Sequence, residues 1–127
     1  MNIHVRLVTP KDLRDYFQQE REKSYKDIED LLTEARVRIS GHTFYGAFDG
    51  ETMVGFISVL NGSHYTDALH VAQSHRRQGI ASSMVKALKI LSTIVSKRND
   101  AGVALFEKLG FSVHQTLPFA HMMSRLS

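Results

Sequence analysis

The chain contains no cysteine, and this absence excludes disulfides, thiolate metal sites and a cysteine nucleophile. It also lacks an apolar run long enough to span a membrane, so no membrane contact is predicted. Residues 1–6 do not resemble the long apolar core of a secretory signal, which leads us to expect a cytoplasmic protein. No repeat, low-complexity tract or Pro- and Gly-rich linker interrupts the sequence, so we expect residues 1–127 to form a single domain.

The chain is moderately basic, with 16 Lys and Arg against 13 Asp and Glu and a net charge of +3. The basic residues of its second half include Arg76, Arg77, Lys86, Lys89, Lys97 and Arg98. No aromatic residues interleave with these lysines, so a solvated helix face is favoured over a nucleic-acid surface, and a nucleic-acid-binding module stays a distant alternative. The seven histidines are scattered without the spacing of metal ligands, so no metal site is predicted.

Alternating and helix-spaced apolar residues together predict an α+β fold. Alternation and β-type composition indicate strands at residues 3–8, 43–48, 53–60, 65–71, 92–96, 111–116 and 120–126. The pairs Asp49-Gly50 and Asn61-Gly62 predict hairpin turns between the early strands. The order is antiparallel hairpins first, then a strand–helix–strand crossover, then further strands.

Capping patterns locate the helices. Thr9 is predicted to cap the first helix, with Pro10 at its first position and Asp12 reaching back to the cap. Residues 24–27 repeat this pattern before an apolar stripe at helical spacing. A third amphipathic run covers residues 80–91, and a fourth helix follows Asn99, which is a good N-cap residue.

A basic turn joins the fourth strand to the third amphipathic run. Residues 75–82 read His-Arg-Arg-Gln-Gly-Ile-Ala-Ser. The first turn of a helix has unpartnered N–H groups and partial positive charge, so it can hold a phosphate or pyrophosphate. Gly79 lets a ligand approach the backbone, and Arg76 and Arg77 add charge-assisted donors. Taken alone, the pattern also fits a capped helix start with a solvated turn.

Two segments together resemble the GNAT superfamily of N-acetyltransferases. The order Arg76-x-x-Gly79-x-Ala81 is similar to the acyl-CoA pyrophosphate loop of that family. Residues 99–111, Asn-Asp-Ala-Gly-Val-Ala-Leu-Phe-Glu-Lys-Leu-Gly-Phe, resemble the family segment in which an Asn precedes a helix that ends in a Leu-Gly-Phe-like turn. Both segments occur in family order and at a family-like separation.

The resemblance implies a mixed central sheet, mostly antiparallel, with a splayed parallel pair formed by strands 4 and 5 and about four helices. It implies acetyl-CoA as cosubstrate. The backbone of Leu69, His70 and Val71 and the side chain of Asn99 would contact the acyl-pantetheine arm. The cofactor-binding residues implied in full are Leu69, His70, Val71, Arg76, Arg77, Gln78, Gly79, Ile80, Ala81, Ser82, Asn99 and Phe106.

Catalytic assignments are less constrained by the sequence. Family members often carry a Tyr general acid where this chain has Phe106, which cannot donate a proton. Three alternatives stay open: water or substrate protonates the CoA thiolate, another side chain donates the proton, or the protein is no longer catalytic. Family enzymes often place an acid on the fourth strand, so Asp67 is the first candidate base. His70 is second, because a histidine ordinarily titrates near neutral pH. Strand alternation puts the two on opposite faces. A structural role is the alternative for each.

The sequence therefore predicts an enzyme that transfers an acetyl group from acetyl-CoA to a primary amine. The acceptor is a small molecule or a protein, and Tyr25 either lines its pocket or belongs to the core. The rival is a non-catalytic acyl-CoA-binding regulator that acts through a protein partner. A homodimer is compatible with both.

Overall fold

A computed structural model describes residues 2–21 and 41–126 of the chain. Within these ranges the fold is one sheet of seven strands with helices packed against it. The strands are β1 (Ile3–Leu7), β2 (His42–Asp49), β3 (Thr52–Leu60), β4 (Tyr65–Val71), β5 (Ser92–Ser96), β6 (Ser112–Thr116) and β7 (Ala120–Ser124). Their spatial order is β1-β2-β3-β4-β5-β7-β6. The β4–β5 pair is parallel and the other neighbours are antiparallel, so the mixed, mostly antiparallel sheet is confirmed.

The described residues form three α-helices, fewer than the four or so that the sequence predicts. They are α1 (Pro10–Arg21), α2 (Ile80–Ala87) and α3 (Asp100–Lys108), and a short 3-10 turn spans Gln73–His75. The helix predicted after residues 24–27, and Tyr25 with it, lies outside the described residues. Helix α2 also ends before the predicted residue 91, because Lys89 turns the chain with a φ of 52° and Ile90 becomes the buried residue.

The first helix begins with the reciprocal cap that the sequence predicts. The Asp12 N–H donates to Oγ1 of Thr9 at 3.1 Å, and the Thr9 N–H donates to Oδ2 of Asp12 at 2.9 Å. The backbone hydrogen bond from Thr9 is the main reason that the pKa of Asp12 lies below its usual value. The cap fixes where α1 starts and therefore which of its side chains face the sheet.

Aromatic packing places α1 over β3 and β4. Tyr16 and Phe17 are buried and meet the ring of Phe56 edge-on, at 5.8 and 5.9 Å between centroids. Helix α2 covers the opposite face, where Met84 packs close to Gly55 of β3. Both faces of the sheet centre are thus buried, and none of the helices in the described ranges is both long and apolar enough to cross a bilayer.

Candidate functional site

Strands β4 and β5 separate soon after they meet, and the gap between them is a cleft. Their pairing covers Tyr65 with Ser92 and Thr66 with Thr93. Beyond that point a cavity of about 220 Å³ opens, which we call the splay cleft. Its lining comes from β4, β5 and the start of α3: Thr66, Asp67, Ala68, Leu69, Thr93, Ile94, Val95, Ser96, Asn99, Gly102 and Phe106. The splayed parallel pair implied by the family resemblance is therefore confirmed.

A β-bulge at Asp67 shapes the strand at this cleft. Ser58 pairs with Ala68 and Val59 with Thr66, which leaves Asp67 as the extra residue on β4. The Thr66 hydroxyl donates to the carbonyl oxygen of Ser58 at 2.7 Å and holds the backbone beside the bulge. An extra residue breaks the two-residue alternation, so side chains on either side of it change their relative faces.

The bulge corrects the predicted orientation of the two candidate bases. Alternation along β2 puts His42 on the face of Phe44, whose ring contacts Phe56, and Phe56 stacks on His70. Asp67 contacts His42, so Asp67 and His70 point to the same face. The prediction of opposite faces is wrong because it assumed an unbroken strand.

Asp67 forms an ion pair that the sequence reasoning missed. Nε2 of His42 lies 3.1 Å from Oδ2 of Asp67, and the two side chains are only 14% and 12% exposed. The residues are 25 positions apart and lie on β2 and β4, with β3 between them. Only the register of three strands brings them together, and no local motif signals it.

His70 is engaged at both ring nitrogens. The Tyr16 hydroxyl lies 2.5 Å from Nδ1, and the Arg76 guanidinium donates to Nε2 at 3.2 Å. A guanidinium offers only donors, so it uses the lone pair of Nε2 that a catalytic base would need. The ring also stacks on Phe56. These contacts use both ring nitrogens of His70 and link α1 to the basic turn.

The basic turn of residues 75–82 forms the wall of a second, larger cavity of about 680 Å³, which we call the basic cavity. Gly79 is the N-cap of α2, with a φ of 78°, and a Cβ built there meets no atom within 4 Å. Among the described residues the lining is Val71, His75, Arg76, Arg77, Gly79, Ile80, Ala81, Ser82, Asn99, Ala101, Gly102, Leu105 and Lys108, with no acidic side chain. This donor set and the open space over Gly79 suit a diphosphate.

Ten of the twelve predicted cofactor contacts line one of these two cavities. His70 and Gln78 are absent from both linings. The Ile80 side chain is buried in the core, so only its backbone is available to a ligand. Lys108 lines the basic cavity and was not predicted, although its place in the last turn of a helix beside the basic turn is a usable signal.

Asn99 joins the two cavities. It lines both, and its Oδ1 accepts from the Gly102 N–H at 2.9 Å, which confirms it as the cap of α3. Gly102 also lines both cavities, and a side chain there would collide with the Asn99 amide at 2.6 Å. The splay cleft and the basic cavity therefore adjoin at the start of α3, and we call the two together the groove.

Phe106 closes the floor of the splay cleft with an apolar ring. Its side chain is 4% exposed and meets Phe111 edge-on at 5.0 Å between centroids. The position carries no hydroxyl, so it supplies no proton donor to the cleft. In the part of the chain that the structure describes, no three His, Asp or Glu residues converge as a metal site would require.

Buried Glu20 supports the basic turn from α1. Its Oε1 accepts from the Gln73 N–H at 2.8 Å, at the start of the 3-10 turn. No pattern in the sequence connects the end of α1 with residue 73. Together with the Tyr16–His70–Arg76 contacts, this bond ties the first helix to the wall of the basic cavity.

Comparisons with known proteins agree with this geometry. The model of the acetyltransferase (GNAT) family matches residues 10–111. A Bacillus subtilis protein named uncharacterized N-acetyltransferase YobR is 30% identical over 107 residues, which cover 76% of this chain and 41% of that protein. The chain thus matches about two fifths of that relative's length.

Two solved structures share the fold. PaiA N-acetyltransferase from Thermoplasma acidophilum, in complex with coenzyme A, superposes with a TM-score of 0.71 at 20% identity and full coverage of both chains. The solution structure of apo-form YjaB from Escherichia coli gives a TM-score of 0.74 at 19% identity, covering 100% of this chain and 99% of that one. With the family model matched over most of its length, the chain is a member of the GNAT acetyltransferase family.

Proposed function

We propose that this protein uses acetyl-CoA to acetylate a primary amine, acting as a single cytoplasmic domain. One observation carries the proposal: a groove in which Asn99 connects a cleft bordered by a carboxylate to a cavity rich in cationic and backbone donors. Such a groove matches two adjoining parts of an acyl-CoA, the uncharged acyl-pantetheine arm and the charged diphosphate.

The basic cavity is suited to the diphosphate. Arg76, Arg77 and Lys108 provide positive charge, and the first turn of α2 provides unpartnered N–H groups. Gly79 allows a close approach because its left-handed backbone leaves open space above it. When bound, acetyl-CoA supplies a thioester as the acyl donor; the protein's part is to position the arm beside β4 and to manage protons.

Proton removal from the acceptor is assigned to Asp67. An amine of the lysine type has a pKa of about 10.4, so it must lose a proton before it can attack a carbonyl. Asp67 borders the splay cleft, and its carboxylate accepts that proton directly or through a water. Phe106 takes no part in proton transfer, and a thiol of pKa about 8.5 leaves as a thiolate without needing an acid.

The names of the relatives support the reaction class. YobR is named an N-acetyltransferase, and the PaiA structure contains coenzyme A. Neither fixes the acceptor, which is a small amine, an antibiotic, a protein N-terminus or a lysine, because acceptor sites vary on one scaffold. The proposal therefore specifies a primary amine as the nucleophile and no particular acceptor molecule.

Two measurements test the proposal. Calorimetry with acetyl-CoA and CoA tests binding. A thiol-reactive chromogen tests turnover over an amine panel, with no background from the protein because the chain has no cysteine. Binding with thiol release that depends on the amine supports the proposal. Binding without release on any amine favours the non-catalytic regulator, and no affinity for either ligand overturns both readings.

A further inference from the structure

We infer that His42 is a positioning residue for Asp67: its imidazole holds the carboxylate in the orientation that serves the splay cleft. The inference rests on the proposed function, because Asp67 matters as a base only if an amine is acetylated. It starts from the pair itself, in which Nε2 of His42 lies 3.1 Å from Oδ2 of Asp67. A carboxylate only accepts, so Nε2 is the donor. The contact engages one of the two carboxylate oxygens.

Because of the bulge, the orientation of the Asp67 side chain depends on a contact outside the regular strand pairing. Asp67 is the extra residue of β4, so the regular ladder does not fix its direction as it fixes that of its neighbours. An aspartate on an irregular backbone has several accessible rotamers. A hydrogen bond to a fixed partner selects one of them.

His42 is itself held on both sides along the chain. The carbonyl oxygen of Gly41 accepts from the Asn61 N–H at 2.9 Å, and the Thr43 hydroxyl donates to Oδ1 of Asn61 at 2.5 Å. In the sheet, His42 lies opposite Leu60. The turn between β3 and β4 thus anchors the backbone around the histidine.

Strand β3 lies between His42 of β2 and Asp67 of β4. On the face that His42 and Asp67 share, β3 presents Ser58, which lies opposite Ala68 of β4. Leu60 stands on the same face, opposite His42. Ser58 and Ala68 are small, and the imidazole reaches the bulge on their side of Leu60.

Position in the cleft distinguishes the roles of the pair. Asp67 belongs to the lining of the splay cleft, whereas His42 is absent from it. We therefore infer that His42 acts on the cleft through Asp67. A carboxylate displaced by about 1 Å from its productive position lowers turnover by about 100-fold in typical cases, while binding of the distant diphosphate is unaffected.

The experiment compares His42→Leu, His42→Gln and, as a control, His114→Leu. Leucine removes the donor and keeps the bulk, whereas glutamine keeps an N–H donor at a similar reach. His114 bonds to Ser124 at the exposed end of the sheet, so its variant loses a histidine contact away from the groove. We expect kcat to fall about 10- to 100-fold in His42→Leu, with the acetyl-CoA affinity changed less than about two-fold, and to recover within about five-fold in His42→Gln.

A second readout does not depend on activity. Side-chain nitrogen NMR of the ligand-free protein follows His42 in the wild type and in Asp67→Asn, with the other six histidines as internal references. We expect the Nε2 resonance of His42 to move in the variant while most references stay in place. This comparison decides the pairing even where His42→Leu fails to fold.

The outcomes separate the two proposals. An active wild type with an equally active His42→Leu overturns this inference alone. So does a His42→Gln variant as impaired as His42→Leu, which marks a purely structural residue, or an unmoved His42 signal in Asp67→Asn. A wild type that binds acetyl-CoA but acetylates no amine overturns the proposed function and this inference with it.

Discussion

The guanidinium of Arg76 donates to Nε2 of His70 over 3.2 Å, so the first arginine of the basic turn is tied to β4. Its Nε also donates to the carbonyl oxygen of Val71 at 3.1 Å. On its other side His70 meets the hydroxyl of Tyr16 on α1. Helix α1 therefore supports the wall of the basic cavity through two contacts in series, from Tyr16 to His70 and from His70 to Arg76.

Tyr16 should make the protein sensitive to high pH. Burial is the main cause that raises the pKa of its hydroxyl above the usual value of 10.0, with the Glu20 carboxylate as a second cause. The folded-state pKa is above the unfolded one, so the contribution to stability is complete below about pH 10 and is lost as the pH rises towards the folded value.

Tyr16→Phe isolates this effect. At about pH 8 the variant should be less stable than the wild type by about 1 kcal/mol, the usual net value of one hydrogen bond. From about pH 10 to pH 11 this stability advantage of the wild type should fall by about 1 kcal/mol, because the unfolded wild type loses the tyrosine proton there and the variant has none to lose. Urea denaturation across this range measures both, and a difference that stays constant with pH would contradict the argument.

Gly79→Asp should abolish binding of acetyl-CoA without unfolding the protein, because it adds a side chain and a negative charge to the wall of the basic cavity. Gly62→Asp is the matched control. Gly62 has a φ of 75° against 78° at Gly79, and a Cβ at either position meets no atom within 4 Å. Both variants should lose about 1 kcal/mol of stability from backbone strain. Calorimetry should show lost affinity in Gly79→Asp alone; equal affinity in the two would remove the basic turn from the binding site.

Phe106→Leu should change activity only through packing. The ring is buried against Phe111, so the loss of stability should be roughly 1 kcal/mol, and kcat should fall by less than about ten-fold. Phe111→Leu removes the other ring of the pair and serves as the control, since Phe111 is not part of the splay cleft lining. Phe106→Tyr should be neutral or faster. A loss of many orders of magnitude in Phe106→Leu, with binding and stability intact, would make this position catalytic.

Asp67→Asn should lower kcat by about two to four orders of magnitude, because the amide keeps the shape of the carboxylate and lacks its basic oxygen. The acetyl-CoA affinity should stay nearly unchanged, since the basic cavity lies apart from this residue. Asp15→Asn on the exposed face of α1 is the control and should retain full activity. A fully active Asp67→Asn would leave the acceptor amine without a protein base on β4.

Local rules were sufficient wherever neighbouring residues determine the structure. The reciprocal cap of Thr9 and Asp12 and the cap at Asn99 follow from side chains that reach backbone groups a few positions away. The resemblance to a known family then supplied the splay of β4 and β5 and the groove beside it. Ten of the twelve implied cofactor residues line that groove.

Contacts between residues far apart in the chain could not be predicted from the sequence. The bulge at Asp67 is a property of the pairing with β3, so alternation along β4 alone put Asp67 and His70 on opposite faces. His42 meets Asp67 through the register of β2, β3 and β4. Tyr16 meets His70, 54 positions away, through the packing of α1 on the sheet. A single sequence does not specify these registers, because the alternation of apolar and polar residues in each strand is compatible with more than one pairing register.

The short pairing of β4 with β5 makes the sheet an assembly of two panels. Two residue pairs join β4 to β5, whereas each other neighbouring pair of strands shares four or more. The panel of β1 to β4 and the panel of β5 to β7 are therefore expected to open as separate cooperative units in amide hydrogen exchange. A molecule bound between Leu69 and Ile94 contacts both panels, so its binding stabilises the two panels against separating from each other.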